Sequence, residues 1–409
     1  MIYLDYAASS PVLSEAAEQV MRFMTEEYAN PSSIHQAAQK SRMVIDSARR
    51  EIAGMLNCRP EELIFTSGGT ESDNLAIFGA ANGGVRHIIT TAIEHEAVLQ
   101  AAKAWCCGER TLTILKPDFE GVIHPEQVEQ AILELLEADR TMQPGAANAE
   151  NRILVSVMTA NNELGTIEPI CGIGEICEKY GALFHTDAVQ AFGHIPIDVK
   201  ACHIDLLSAS GHKLGAPKGV GFLYASSKAA LKPQIYGGGQ ERKKRSGTLN
   251  TPGIAGLYEA VKYAEVHMAE SAERISRLRN LFLRKILSAL PDVRINGPQC
   301  LKDLEESTEP DRTGCLPGHL NLSFPGIEAE SLLILLDMKG IAASAGSACA
   351  SGALEPSHVL RALPGMDIER ANASLRFSFG EFSTEEESED AAEAVIEAVR
   401  RLRALRYGG

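Results

Sequence analysis

Residues 183–215 read LFHTDAVQAFGHIPIDVKACHIDLLSASGHKLG, and this stretch decides the fold. Two short apolar runs, at 183–186 and 205–208, each lead into polar or charged residues. Neither run alternates as a half-exposed strand would, so both are predicted to be strands buried on both faces. Such strands, separated by helical segments, are typical of a mainly parallel sheet with helices on both sides.

The same pattern continues through the rest of the chain. Further strands are predicted at 62–66, 87–93, 153–158 and 220–224, with helices around 74–81 and 170–180. A second unit is expected from near Pro252, with a helix over 254–290, strands at 320–324 and 374–378, and a helix over 328–338. The last helix should begin at a capping box made by Ser383 and Glu386. Two stretches, 138–151 and 299–318, are rich in polar residues and are predicted to be surface loops.

Composition excludes several classes of protein. Of 409 residues, 45% are apolar and 23% charged, which favours a globular chain with a large core. The net charge of -15 argues against nucleic acid or an anionic membrane as the main partner. Neither a secretory signal nor a membrane span is expected. The nine scattered cysteines predict no disulfide framework and a reducing, cytoplasmic location.

Two polar groups follow the strands of the opening stretch. Lys213 comes after the run 205–208, at the edge where open α/β sheets bind ligands, so its amine could hold a carbonyl cofactor. The alternative is a surface lysine in a turn. Asp187 ends the other run and could pair with a protonated ring nitrogen. Its alternative is a helix cap.

Two further motifs follow strands nearer the amino terminus. Residues 66–72, TSGGTES, join a strand to a helix start, where free N–H groups favour a phosphate. They lack the lysine of a P-loop, and a plain tight turn remains open. His95 follows the strand predicted at 87–93 and could stack on a flat cofactor and move protons. A structural histidine is the alternative.

Residues 343–353 read ASAGSACASGA, in which every residue except Cys349 is alanine, serine or glycine. A stretch without large side chains should open easily, which predicts a mobile, exposed thiol suited to nucleophilic attack. The alternative is a small-residue turn with an incidental cysteine. Histidines 185, 194, 203 and 212 recur every nine residues, but no regular geometry brings that period to one ion. No metal is therefore expected.

Taken together, these motifs resemble those of cysteine desulfurases of the NifS/IscS type, which are class V members of the fold-type-I pyridoxal-phosphate enzymes. The resemblance extends over nearly the whole chain. The segments that carry it are YLDYAA (3–8), NPSS (30–33), SGGTESDN (67–74), EHEAV (94–98), ANNELG (160–165), HTDAVQ (185–190), SGHKLGAPKGVG (210–221), GGGQERKKRSGT (237–248), SAGSACASGALEPSHVLRA (344–362) and SLRFSFG (374–380).

The resemblance implies a fold and a set of roles. It implies a large domain over 15–252 with a seven-stranded sheet, and a small domain of 1–14 and 253–409 that carries the Cys349 loop. Lys213 would hold pyridoxal phosphate through its amine, with His95 stacked on the ring. The remaining cofactor contacts would be Asp187 at the ring nitrogen, Gln190 at the ring hydroxyl, and Gly69, Thr70, Ser210 and His212 at the phosphate. Thr248 would reach the phosphate of a partner subunit, which implies a homodimer. Asn162 and Arg376 would hold the substrate carboxylate.

The implied reaction removes sulfur from L-cysteine, with Cys349 as the nucleophile that becomes a persulfide and L-alanine as the product. The sulfur would pass to an acceptor protein for iron–sulfur assembly, tRNA thiolation or another delivery, and the sequence leaves these open. The alternatives are a selenocysteine lyase, a class V aminotransferase or a non-catalytic sulfur carrier. The chain departs from the family at Ser9-Ser10, where Thr-Thr is usual, and in its basic stretch 242–245, for which a solvated loop is expected.

Overall fold

The computed structural model describes residues 1–81, 83–142, 152–299, 314–345 and 356–407. Its strands are β1 (Ile2–Tyr3), β2 (Leu63–Thr66), β3 (His87–Thr91), β4 (Thr111–Leu115), β5 (Ile153–Ser156), β6 (Leu183–Asp187), β7 (Leu206–Ser210), β8 (Gly221–Ala225), β9 (Arg294–Asn296), β10 (His319–Ser323), β11 (Ile341–Ala342) and β12 (Ser374–Ser378). Its α-helices are α1 (Ser14–Thr25), α2 (Ala38–Leu56), α3 (Gly69–Ala81), α4 (Glu96–Trp105), α5 (Pro125–Met142), α6 (Ile170–Tyr180), α7 (Thr251–Ala289), α8 (Ala329–Met338), α9 (His358–Ala362), α10 (Ile368–Asn372) and α11 (Glu385–Tyr407).

The main sheet has seven strands in the order β2-β8-β7-β6-β5-β3-β4. Its neighbours from β7 to β4 are parallel, whereas β8 runs antiparallel to both β7 and β2. The predicted mainly parallel sheet with flanking helices is therefore confirmed. Strand β4 was not predicted from the sequence, because it lies at the edge of the sheet with partly exposed side chains and lacks a continuous apolar run.

Each face of this sheet has its own hydrophobic layer. Residues of α3 and α4 pack on one face together with Leu183, while α2, α6 and the start of α7 pack on the other together with Phe184. Successive side chains of a strand point to opposite faces, so β6 needs apolar residues at both positions. This is why the strand patterns in the sequence show no alternation.

Helix α6 sets the position of the strand that ends in Asp187. It stops at Gly181, whose φ of 72° is a left-handed conformation that glycine adopts without a Cβ clash. The chain then turns back directly into β6. Asp187 is thereby delivered to the carboxyl end of the parallel strands, the edge at which such sheets bind ligands.

A second core is built around the sheet β12-β10-β9. Helix α7 serves both cores: Leu257 packs with the large sheet, and Phe282 with the small one. The amino terminus joins the second core through Leu4, and β1 pairs in parallel with β11. The domain bounds at 15 and 252 remain a prediction. Within the described parts of the chain, no helix is long and apolar enough to cross a membrane.

Three sequence expectations need correction. The capping box of α11 is made by Thr384 and Glu387, one residue later than predicted, with reciprocal bonds of 3.1 Å. Residues 138–142 belong to α5, so the first predicted loop is wrong there; the rest of it, and most of the second, lie outside the described residues. Cys171 and Cys202 form a disulfide that the sequence did not predict. Their 31-residue separation gives no spacing signal, because the fold alone brings α6 against the segment before β7.

Candidate active site

Three predicted groups meet at the carboxyl ends of β6 and β7. Asp187 is the last residue of β6, and Ser210 the last of β7, with Asp187 opposite Ser208 in the parallel register. A short 3-10 turn, Gly211–Lys213, follows β7 and places Lys213 at the same edge. We call these ends, together with the start of α3, the sheet-edge site.

The Lys213 amine lies against the amino-terminal segment. Its Nζ donates to the carbonyl oxygen of Ala8 at 2.8 Å and also to that of Ala7. The Gln190 side-chain amide donates to the same Ala7 oxygen at 2.9 Å, so Gln190 and Lys213 are neighbours. The amine is thus held beside Gln190 and at the edge that Asp187 occupies, as the sequence predicted.

The glycine pair at the start of α3 allows a close backbone approach. A Cβ on Gly69 would lie 2.6 Å from Val189, and one on Gly68 would lie 3.6 Å from the Ser210 hydroxyl. The first N–H groups of a helix have no partner within it, and the helix dipole there favours an anion. Thr70, the next residue of α3, is exposed at this end. The arrangement fits the predicted phosphate cradle.

His212 lies next to this cradle. Its Nδ1 is 3.4 Å from the Ser9 hydroxyl. Burial and the nearby Lys213 and Lys218 ammonium groups lower its pKa to about 4. At neutral pH His212 is therefore uncharged and can offer one N–H donor.

His95 caps the start of α4. Its Nδ1 accepts the backbone N–H of Ala97 at 3.1 Å, so the ring proton of the neutral form is on Nε2. Burial raises the pKa of Asp187, and the charges of His95 and Lys213 oppose that rise. Asp187 also accepts the Val189 N–H at 2.9 Å, which fixes its orientation.

Arg376 of β12 and Asn162, which follows β5, form a second group, which we call the β12 side of the site. The Arg376 side chain is 3% exposed, and it donates to the Asn162 carbonyl oxygen at 3.0 Å and to Asp5 Oδ1 at 2.8 Å. Arg376 Nε and Asn162 Oδ1 are buried and have no hydrogen-bond partner among the described residues. Unpaired buried polar groups are costly, so this pair is suited to a ligand that completes it.

Cys349 lies outside the described residues, but the chain on both sides of it is placed. Ser344 exchanges two backbone hydrogen bonds with Arg376, at 3.1 and 2.7 Å. Beyond the stretch, the Ser357 hydroxyl donates to Glu163 at 2.5 Å, and the His358 ring is 2.9 Å from the Glu94 carbonyl oxygen. The described residues that flank Cys349 therefore lie beside Arg376 on one side and beside the segment of Glu94 and His95 on the other.

Thr248 is exposed, and it follows a loop whose side chains bind other parts of the large sheet's layer. In that loop Arg245 pairs with Glu71 at 2.7 Å, and Glu241 is buried against Arg49 at 2.7 Å. The expected solvated loop at 242–245 is therefore wrong for Arg245, because Glu71 at the start of α3 binds it. No described side chain of the site contacts Thr248 through a recorded hydrogen bond, so its role stays a prediction.

Four carboxyl groups near the site were missed from the sequence. They are Asp5, Asp73, Glu94 and Glu163. All four lie inside the quoted motifs, which was the available signal, but a carboxylate in a motif does not reveal whether it faces the site. Burial raises the pKa of Glu94 to about 8.

Comparison with known proteins agrees with this geometry. Residues 2–390 match the family model described as aminotransferase class-V. The chain belongs to the class-V aminotransferase family. Within that family, it is 44% identical over 404 residues to the putative cysteine desulfurase IscS 1 of Bacillus subtilis, covering 98% of this chain and 99% of that one. It is 43% identical over 406 residues to the cysteine desulfurase IscS of Methanosarcina thermophila, covering 98% and 93%.

Solved structures give the same family. A NifS-like protein superposes with a TM-score of 0.83 at 33% identity, over 98% of this chain and 100% of that one. The structure titled SspA in complex with cysteine gives a TM-score of 0.76 at 33% identity, over 94% and 100%. The predicted resemblance to NifS/IscS-type class-V enzymes is therefore confirmed, as is the fold class.

Proposed function

We propose that this class-V enzyme is a cysteine desulfurase, which takes sulfur from L-cysteine, collects it on Cys349 and releases L-alanine. The observation that carries this proposal is the buried Arg376 Nε, a donor that has no hydrogen-bond partner among the described residues and lies next to Asn162, whose side-chain amide N–H groups could add to it. A guanidinium edge binds a carboxylate well. Relatives that match nearly the full chain are named cysteine desulfurases.

The sheet-edge site fits pyridoxal phosphate by the chemistry of its donor set. It offers an amine at Lys213, a carboxylate at Asp187 and an imidazole at His95, with a helix start at Gly69 for a phosphate. When bound, this cofactor withdraws electrons from the substrate α-carbon, so that the carbon–sulfur bond can break. Lys213 would hold it, and Asp187 would pair with its ring nitrogen.

The remaining cofactor contacts follow from position. Gln190 lies beside Lys213 and would donate to the ring hydroxyl. The backbone at Gly69, with the Thr70 and Ser210 hydroxyls and neutral His212, would donate to the phosphate. His95 carries its proton on Nε2, where it can give or take one near the substrate.

Cys349 follows Ser344 by five positions, and the Ser344 backbone is hydrogen-bonded to that of Arg376. A chain of that length spans at most about 18 Å. Cys349 would therefore be able to reach a cysteine held at Arg376. In the proposed step the Cys349 thiolate attacks the substrate sulfur, a sulfur–sulfur bond forms, and the carbon–sulfur electron pair stays on carbon, which takes up a proton.

A homodimer is part of this proposal. Exposed apolar side chains near the amino terminus include Tyr28 at 76%, Ile34 at 99% and Met43 at 67%, and Tyr236 in the Thr248 loop is exposed at 82%. Such side chains commonly mark an interface. A second copy covering them would bring its own Thr248 toward the phosphate site of this chain.

The product of the proposed step is an enzyme persulfide, which implies an acceptor protein. Iron–sulfur assembly, tRNA thiolation and other sulfur delivery are all compatible with it. We expect a cytoplasmic location, because a thiol that collects sulfur must be kept reduced.

The test is to measure sulfide and alanine released from cysteine by the wild-type enzyme in the presence of a reductant. The proposal predicts equal amounts of both, abolished in Cys349→Ser and retained in Cys107→Ser, an exposed thiol away from the site. Pyruvate or keto acid in place of alanine, or full activity of Cys349→Ser, would contradict it.

A further inference from the structure

A row of buried polar side chains lies beneath Asp187. Ser156 of β5 is opposite His185 of β6, and Ser208 of β7 is opposite Asp187, so all four point to the sheet face covered by α3. Ser156, His185 and Ser208 are fully buried. A polar row in an otherwise apolar layer must satisfy its hydrogen bonds internally.

The imidazole at the centre of the row is neutral. His185 Nδ1 is 2.8 Å from the Ser156 hydroxyl, and Nε2 is 3.0 Å from the Ser208 hydroxyl. Burial lowers the pKa of His185 to about 3. A neutral ring has one donor and one acceptor nitrogen, so the row has a direction, set by which nitrogen carries the proton.

Asp73 of α3 completes the row. Its Oδ1 lies 3.7 Å from His185 Nε2 and has no hydrogen-bond partner among the described residues, and the Ser208 side chain is near enough to its carboxyl to lower the Asp73 pKa. The residue is 1% exposed, and within 4.0 Å its only basic neighbour among the described residues is that imidazole. Burial first and the Asp187 carboxylate second raise the pKa of Asp73 well above its ordinary value, and Glu94 adds to the rise.

Asp73 and Asp187 are two buried carboxyls that compete for one negative charge. Asp187 has basic groups in its favour, since His95 and Lys213 both lower its pKa, and it accepts the Val189 N–H. Asp73 has neither a strong cation nor a backbone donor recorded in the described chain. When environments push two neighbouring acids apart in this way, one is ionised and the other keeps its proton.

We propose that Asp73 is a positioning residue of the cofactor site and works as a neutral carboxylic acid. Its proton is donated to Ser208, the Ser208 hydroxyl donates to His185 Nε2, and His185 Nδ1–H donates to Ser156. The row is then satisfied without any charge. Asp187 is left as the ionised carboxylate that faces a ring nitrogen.

An ionised Asp73 would reverse the row. Ser208 would then donate to Asp73 and accept from His185 Nε2–H, while Nδ1 would accept from Ser156. The two arrangements therefore differ in the tautomer of one buried histidine, which ¹⁵N chemical shifts distinguish directly. That readout reports the position of a proton and does not depend on catalysis.

The experiment is ¹⁵N NMR of the histidine-labelled holoenzyme at neutral pH, with His185→Gln to assign the signal. The proposal predicts that His185 is protonated on Nδ1 alone. Protonation on Nε2, or on both nitrogens, would overturn it.

Two substitutions separate positioning from simple packing. Asp73→Asn can still donate to Ser208, so it should keep the Nδ1–H tautomer and hold pyridoxal phosphate within about twofold of wild type. Asp73→Leu cannot donate and should mix the tautomers and weaken cofactor binding by about tenfold or more, the effect of an unpaired buried group. Loss of the Nδ1–H tautomer in Asp73→Asn would contradict the role of Asp73, and so would an Asp73→Leu variant that matches the wild type. If Asp73→Leu does not fold, the result with Asp73→Asn decides.

Asp205→Asn is the matched control. Asp205 is also buried, at 6% exposure, but it bonds to Phe184 N–H and Ser226 away from the site. Its substitution should leave the His185 signal and cofactor affinity unchanged. The role toward the ring nitrogen rests on the proposed function; a protein that binds no pyridoxal phosphate would refute that function, whereas the tautomer could still be read.

Discussion

The two sides of the site differ in how their polar groups are satisfied. At the sheet edge, Lys213, Asp187 and Gln190 all have protein partners. On the β12 side, Arg376 Nε and Asn162 Oδ1 are buried without one in the described structure. The sheet edge is thus held in place by the protein itself, and the β12 side is completed only by a ligand. This is the division expected between a resident cofactor and a passing substrate.

The largest effect is expected from removing the amine of the sheet edge. Lys213→Ala should bring activity to the detection limit and abolish the visible absorbance of the purified protein, because no other described amine occupies that position. Absorbance spectra and sulfide assays check this. Lys218→Ala, five residues on and exposed, is the control. A coloured, active Lys213→Ala variant would contradict the role assigned to the sheet-edge site.

Glu241 ties the loop that leads to Thr248 to helix α2 and strand β2. Its carboxylate accepts two bonds from Arg49 and one from the Phe65 N–H at 2.8 Å. Glu241→Gln leaves a buried guanidinium uncompensated, which should lower the free energy of unfolding by about 3–5 kcal/mol. Denaturant unfolding measures it. Glu129→Gln, whose partner Lys179 is largely exposed, should change stability far less; equal losses would show that the Glu241 pair has no special weight.

The carboxyl of Glu94 makes stability depend on pH. Its folded pKa of about 8 lies above the ordinary 4.5, so the folded state holds this proton more tightly than the unfolded chain. Stability is therefore fully present below pH 4.5 and is lost as pH rises toward 8. Glu94→Gln should flatten this slope and gain about 3–4 kcal/mol relative to wild type between pH 5 and 8. Glu109→Gln, at an exposed position, is the control, and its stability should depend on pH as that of the wild type does. The same pH dependence in Glu94→Gln would contradict the effect of burial.

Substitution of Arg376, on the β12 side, should change substrate binding and leave cofactor binding intact. Arg376→Ala removes a charge-assisted bond and should raise KM for cysteine by about 10- to 100-fold with the cofactor retained. Arg376→Lys keeps the charge but loses the planar edge, so an intermediate KM is expected. Steady-state kinetics and spectra test both. The remote Arg403→Ala serves as control, and an unaltered KM in Arg376→Ala would remove the assigned role.

Strand and helix positions could largely be predicted from the sequence because both faces of the main sheet are apolar. Helix α6 was predicted over 170–180 and observed as Ile170–Tyr180. Strand β4 was missed because edge exposure removes the apolar signal. The capping box was off by one because Ser383 and Thr384 are chemically equivalent candidates, and only the bond to Glu387 separates them.

The site could be predicted in part for a similar reason. Lys213 and Asp187 follow apolar strands directly, and strand ends meet at one sheet edge whatever the loops do. Asp5 and Glu163 could not be assigned, because their roles depend on contacts with Arg376 and Ser357 more than 190 residues away. The disulfide between Cys171 and Cys202 was missed because only the fold brings together these two residues, which are 31 positions apart.

The most direct test of the account is the mass of the intact enzyme after incubation with L-cysteine and no reductant, followed by peptide mapping. A cysteine held between Lys213 and Arg376 should leave one additional sulfur atom on the enzyme, located on the peptide that contains Cys349. No gain in mass, or a gain mapped to another thiol such as Cys107, would contradict the account.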